Sequence, residues 1–374
     1  TSTMKTPELL APAGTLRNLR YAIAFGADAV YAGMPRYSLR VRNNDFKGIE
    51  NLAVGIEEVH ADGKAFFMAT NVLPHNSKVK TFLADMAPIM ELGPDALIMA
   101  DPGLIMMVRE RWPELPIHLS VQANTMNYAS VQFWQRVGIK RIILSRELSL
   151  DQIEEIRQAC PDIELEVFVH GALCIAYSGR CLLSGYFNHR DANQGSCTNA
   201  CRWDYKVRDA RQDISGDIHS ADVFLIEEAN RPGELMPIEE DEQGTYIMNS
   251  RDLRAVEHVE RLVKIGVDSL KIEGRTKSHY YTARTTQVYR KAIDDALAGR
   301  PFDPGLLGSL ENLANRGYTD GFLQRHHAHE YQNYIDNHSK SLRQRFVGEL
   351  VAYNYATGLA EVDVKNRFSV GDEL

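Results

Sequence analysis

Cysteine is scarce in this chain, and long apolar runs are missing. Of 374 residues only five are Cys. No run of apolar residues reaches the roughly 18 a membrane-spanning helix needs, so no membrane partner is expected. The N-terminal stretch TSTMKTPELLAPAG lacks the basic region, apolar core and small-residue cleavage site of a secretory leader, and a cytoplasmic location is the expectation. An excess of positive charge is also absent. The formal net charge is -8, which argues against a generally basic nucleic-acid coat but leaves room for local patches. With 44% hydrophobic and 25% charged residues the composition is ordinary for a globular protein. The length suits one large domain plus a small appendage, because single cores stop growing near about 250–300 residues.

The scarce cysteines are not scattered. Cys174, Cys181, Cys197 and Cys201 lie in HGALCIAYSGRCLLSGYFNHRDANQGSCTNAC, with 6, 15 and 3 residues between them. In a reducing compartment such clustering points to metal ligation or redox chemistry rather than to a disulfide framework. The close CxxC knuckles of a zinc ribbon are absent. Thiolates holding an iron-sulfur cluster tolerate looser spacing, because they reach separate corners of a cube. Spacing alone therefore leaves iron-sulfur, structural zinc and redox thiols open. Glycines 171, 179, 185 and 195 would let backbone N–H groups approach a cluster. Cys160 falls in the helical stretch LDQIEEIRQAC and reads as a buried thiol.

One phrase recurs along the chain: FGADAVYAG, LGPDALIMAD, VGIKRIILS and IGVDSLKIEG. Each reads as a helix end, a glycine that closes it, and an apolar strand buried on both faces. ELLAPAG, KAFFMATN, IHLSVQAN and ELEVFVHG bring the strands to eight, with helical periodicity between them. Eight strands alternating with helices predict a closed parallel β/α barrel of the TIM type, with a doubly wound open sheet as the alternative. The barrel domain is expected over 1–335 and includes a Cys-containing insertion, 172–250, where the spacing between strands seven and eight is far longer than elsewhere. Residues 340–374 change to a strand–turn–strand pattern and read as the start of a small C-terminal β domain.

In such barrels the loops after the strands build the active site. The strand ends carry Asn71, Asp101, Gln122, Arg146, Glu147, His170, Glu273 and Arg275, a polar ring of mixed charge in which any member could equally cap a helix. Arg and Asn suit a carboxylate ligand. Two basic stretches follow strands two and seven. The first holds Arg36, Arg40 and Arg42; the second holds Arg190, Arg202, Lys206 and Arg208. They could hold a large polyanion across the rim or be simple solvated surface. HHAHE at 326–330 offers a weaker metal possibility without the HExxH arrangement.

The segment EVFVHGALCIAYSGRCLLS resembles the signature of the collagenase-like peptidases of unknown catalytic type, through Glu166, Phe168, Gly171, Cys174, Gly179, Cys181 and Ser184. ELLAPAG, ADAVYAG and KIEGR resemble the same family, so the likeness covers most of residues 8–325. It implies RNA hydroxylation: oxygen-independent formation of 5-hydroxyuridine at the tRNA wobble position, with prephenate as co-substrate and the anticodon loop as partner. It also implies a 4Fe-4S cluster in place of zinc. Cys174, Cys181 and Cys197 match family ligands, and Cys201, the last cysteine, is the nearest candidate for the fourth. The electron donor is not indicated. The older peptidase reading, and an RNA-binding scaffold with structural zinc, remain as alternatives at this stage.

Overall fold

The computed structural model describes residues 5–34, 36–38, 46, 48–172, 176–177, 180–181, 205–209, 223–228, 235–241, 244–247, 252–274, 277–313, 318–324, 346–369 and 371, with the strands between 176 and 247 described by their backbone. In chain order the first strands are β1 (Glu8–Pro12), β2 (Ala29–Gly33), β3 (Ala65–Ala69), β4 (Ala96–Met99), β5 (Ile117–Leu119), β6 (Arg141–Ile143) and β7 (Glu164–Ala172). Helices α1 (Leu16–Ala24), α2 (Ile49–Ala61), α3 (Asn76–Glu91), α4 (Pro102–Arg111), α5 (Tyr128–Val137) and α6 (Leu150–Ala159) alternate with them.

After β7 come two short strands, β8 (Ala176–Tyr177) and β9 (Arg180–Cys181), then β10 (Tyr205–Asp209), β11 (Val223–Glu228), β12 (Leu235–Asp241) and β13 (Gly244–Ile247). These last four form an antiparallel sheet that the sequence reading did not anticipate inside the insertion. The chain then returns through β14 (Asp252–Arg254), α7 (Val259–Ile265), β15 (Ser269–Ile272), α8 (His279–Leu297), α9 (Gly305–Glu311) and β16 (Tyr318–Thr319).

Strands β1 to β7 pair in sequence order and all in parallel. Strand β15 hydrogen-bonds to β1 on one side and to β7 on the other, both parallel, which closes an eight-stranded barrel. That closure excludes the open-sheet alternative. The recurring glycine works as its position suggests: Gly266 ends α7 at φ 85°, where a side chain would be strained, and turns the chain into β15. Outward-facing strand residues such as Leu9, Val30 and Leu270 are fully buried beneath the helices and form the main core.

The lumen is filled differently. Alternation turns Glu8, Tyr31, Phe67, His118, Arg141, Glu166 and Lys271 inward, and they contact one another across it. Arg141 Nη1 reaches Glu8 at 2.6 Å and Glu166 at 3.2 Å, while its Nε bonds Glu164 at 2.8 Å. Lys271 Nζ lies 3.1 Å from the other oxygen of Glu166, whose side chain is fully buried. Arg141 also stands over the Phe67 ring at 5.3 Å, and His118 meets the same ring edge-on at 4.6 Å. Each interior acid thus has a cation, which is the condition under which buried charge is tolerated.

Beyond the barrel, β17 (Gly348–Asn354) and β18 (Leu359–Val364) form an antiparallel hairpin. Glu349 ties it to Arg17 of α1, and Phe346 packs on Tyr280 of α8 with ring centroids 5.1 Å apart. Residues 326–330 lie outside the described residues.

Removing the shared cation takes the ion-pair partner from Glu8 and leaves Glu166 with Lys271 alone. Arg141→Met is expected to lower unfolding free energy by about 3–5 kcal/mol, read from urea denaturation. A loss under about 1 kcal/mol would show that the lumen does not depend on it.

Candidate functional site

The C-terminal ends of β7 and β15 meet along one seam, and two sequence motifs interlock there. On β7 the motif is Glu166, Phe168, Gly171; the other is Lys271 on β15 with Glu273 just beyond its end. Glu166 binds Lys271, whose ammonium also sits 4.4 Å from the centre of Tyr31 and 5.3 Å from that of Phe168. Arg146, from the segment after β6, lies over Phe168 at 3.9 Å and forms an ion pair with Glu273. Gly171 has φ 109°, and a Cβ there would fall 2.3 Å from the carbonyl oxygen of Glu273. Only glycine allows the strands to approach so closely. The register shifts after Lys271, so Ile272 stands opposite His170, and the Glu273 N–H donates to the His170 carbonyl at 2.8 Å.

His170 is fully buried beside this seam. Its Nδ1 lies 3.0 Å from the hydroxyl of Tyr289 on α8. That hydroxyl donates its one proton to the Val169 carbonyl at 2.7 Å and accepts the Ala255 N–H at 3.2 Å. Nδ1 must therefore be the protonated nitrogen, donating to Tyr289, and Nε2 carries the lone pair. Nε2 is buried and has no hydrogen-bond partner among the described residues. Burial, with help from the charges of Arg254 and Lys277, pushes the imidazole down to about 3. At neutral pH it is a neutral acceptor of fixed tautomer. Tyr281, with its ring centroid 5.9 Å away, has its phenol pushed up by burial and stays protonated.

The other residues expected at the strand ends have mixed roles. Asp101 caps α4, accepting the Leu104 N–H at 2.9 Å. Gln122 lies in a 3-10 turn and accepts from the Ser120 hydroxyl at 3.1 Å. Asn124, at φ 51°, closes that turn by donating to the Gln122 carbonyl. Asn71 follows β3 and is half-buried, and Glu147 is buried next to Arg146. Arg146, Glu273 and His170 are thus the members brought to one seam, while Asp101 and Gln122 serve their own turns. Arg275 lies outside the described residues.

Of the cysteines, Cys174, Cys197 and Cys201 lie outside the described residues; Cys181 is in β9, paired through its backbone with Ala176. Arg36 is exposed at φ 71°, 3.2 Å from Asp85. Arg40, Arg42, Arg190 and Arg202 lie outside the described residues, and Lys206 and Arg208 occupy β10 opposite Glu227 and Leu225. Among the described residues, Glu257, His258 and Asp320 bring three donor atoms within 4.8 Å, with His258 Nε2 3.2 Å from Asp320. The sequence reading missed Lys271, Arg141 and Tyr289. A lysine inside the apolar strand SLKI was the available signal for the first, since a charge in a doubly buried strand needs a partner.

A family model described as Peptidase family U32 matches residues 14–333. The chain is 63% identical over 391 residues to tRNA hydroxylation protein P of Escherichia coli (strain K12), an alignment covering 99% of this chain and 86% of that protein. It is 59% identical over 396 residues to tRNA hydroxylation protein P of Haemophilus influenzae (strain ATCC 51907 / DSM 11121 / KW20 / Rd), covering 100% and 86%. A more distant relative, 31% identical over 326 residues, is the 23S rRNA 5-hydroxycytidine C2501 synthase of Escherichia coli (strain K12), with 84% of this chain and 45% of that protein covered.

The depressed His170 has a signature in stability. Its folded value of about 3 lies below the ordinary 6.5, so the unfolded chain takes up the proton first as pH falls. Stability is unaffected above about 6.5 and declines from there toward 3. His170→Gln should therefore reduce the loss of unfolding free energy between pH 6.5 and 5 by about 2 kcal/mol, measured by urea denaturation at both values. An unchanged difference would mean that His170 is not held neutral.

Proposed function

The chain belongs to peptidase family U32, and from that premise we propose that it is an RNA hydroxylase that forms 5-hydroxyuridine at the wobble position of tRNA without molecular oxygen, with prephenate as co-substrate. The observation that carries the reading is 63% identity along almost the whole chain to a protein named for tRNA hydroxylation. The rRNA 5-hydroxycytidine synthase supports the reaction class, since it too is named for a hydroxylated RNA, in its case at a cytidine. An anticodon-loop base can be splayed out at small cost, which the enclosed end of a barrel requires of its substrate.

The four clustered cysteines are the residues that would hold a 4Fe-4S cluster: Cys174, Cys181, Cys197 and Cys201. Thiolates are the donor type such a cluster takes, with zinc as the alternative. The fifth, Cys160, is excluded by its setting: it ends α6, is buried, points its thiol at the Tyr128 carbonyl 3.6 Å away, and has that thiol pushed up by burial. The insertion is rooted at the seam, where Ala172 pairs with Asp252 and Gly171 with Leu253 as the chain leaves and returns. When bound there, the cluster supplies one-electron redox chemistry.

The chain's own residues supply binding and orientation. Arg146 offers a planar guanidinium, backed by an aromatic ring, to a carboxylate of the small acid. His170 contributes a neutral acceptor of fixed tautomer in a site from which water is excluded. A peptidase would need a nucleophile on its base, whereas His170 engages a tyrosine. Among the described residues no helix is long and apolar enough to cross a membrane.

Deleting the gene should remove 5-hydroxyuridine and its derivatives from digested tRNA. The wild-type gene should restore them and Cys174→Ser should not; unchanged nucleosides in the deletion strain would refute the substrate. Protein prepared without oxygen should contain about four iron and four sulfide per chain. One zinc per chain and no sulfide would instead establish a structural metal.

A further inference from the structure

Two cations share the Phe168 ring, and their counter-ions differ in kind. Lys271 is held by Glu166 with side-chain exposures of 5% and 0%, deep in the lumen. Arg146 is held by Glu273 at the strand ends, each side chain 12% exposed. Of the two pairs, only the second can be reached from the rim.

We propose that Glu273 is a built-in stand-in for a substrate carboxylate: it occupies Arg146 in the resting protein and gives way when the small acid arrives, so that the Arg146–Glu273 pair sets affinity and selectivity for a carboxylate ligand. The proposal rests on the small-acid reading above and adds the residue that competes with that acid. One observation and two physical arguments carry it. The guanidinium carbon lies over Phe168, 3.9 Å from the ring centre, so the cation has an anchor that is independent of the carboxylate it binds. The guanidinium holds Glu273 through Nη2, and a ligand carboxylate can take the place of Glu273 at that nitrogen. Exchange also keeps the half-buried cation paired throughout, whereas simple removal of Glu273 from a ligand-free site would strand it. A neutral ligand has nothing to offer in this exchange, and selectivity for acids follows from the cost of leaving Arg146 unpaired.

Titration calorimetry of prephenate into the full chain, purified without oxygen, tests this. If Glu273 occupies Arg146 nine times in ten, Glu273→Gln should bind prephenate on the order of tenfold more tightly than the wild type. Glu273→Asp, with shorter reach, should fall between them. Arg146→Met should bind weakly, and adding Glu273→Gln to it should restore nothing, a non-additivity that a purely structural pair would not show. Wild-type binding with no gain in Glu273→Gln overturns the exchange alone. No prephenate binding by the wild type or any variant overturns the small-acid reading and the exchange with it.

Discussion

The pairing of β7 with β15 is the constraint on which the rest of this molecule depends. It closes the barrel, and it does so with a buried ion pair, Glu166 to Lys271, between largely apolar strands. Parallel strands separated by about a hundred residues gain no help from a short turn, and the loop-closure entropy between them must be offset by the contact itself. A charged pair in the lumen is poor as a source of raw stability but strong as a specifier of register. A slip by one residue would turn Glu166 out toward the helices and leave Lys271 alone inside. The same seam then sets Phe168 beneath Arg146, and brings Gly171 against Glu273 so closely that no side chain fits.

Much of the barrel was legible because its strands are short apolar runs that follow a helix-closing glycine, and that phrase repeats. The open-sheet alternative could be dismissed only by seeing β15 bonded to both β1 and β7, since alternation of strand and helix is common to both architectures. The antiparallel sheet of the insertion went unread. Strands such as VFLIEE and LMPIEED mix apolar and acidic residues without clean alternation, and nothing local distinguishes them from a polar loop. The lumen was equally opaque: an inward charge in a β/α barrel looks like a surface charge until the ring of strands is assembled.

For the site, position was readable and role was not. Arg146, His170 and Glu273 were picked out because they follow strands, and they do converge. Asp101 was picked out by the same logic and caps a helix, a use that the following Pro102 at the first helical position already signals. What no one-dimensional pattern supplies is the partner across the fold. Tyr289 lies 119 residues from His170 and decides which imidazole nitrogen bears the proton. Burial, rather than that bond, lowers the imidazole and keeps its charge state constant over the physiological range.

The antiparallel clasp between β7 and β14 gives the insertion a shared exit and entrance. Because Ala172 and Asp252 are neighbours across the clasp, everything between them can lengthen, shorten or be replaced without altering the distance its ends must span. A segment hung on a fold in this manner tolerates insertion and replacement better than the frame that carries it. The barrel therefore keeps its closing strand in place whatever hangs between those two residues.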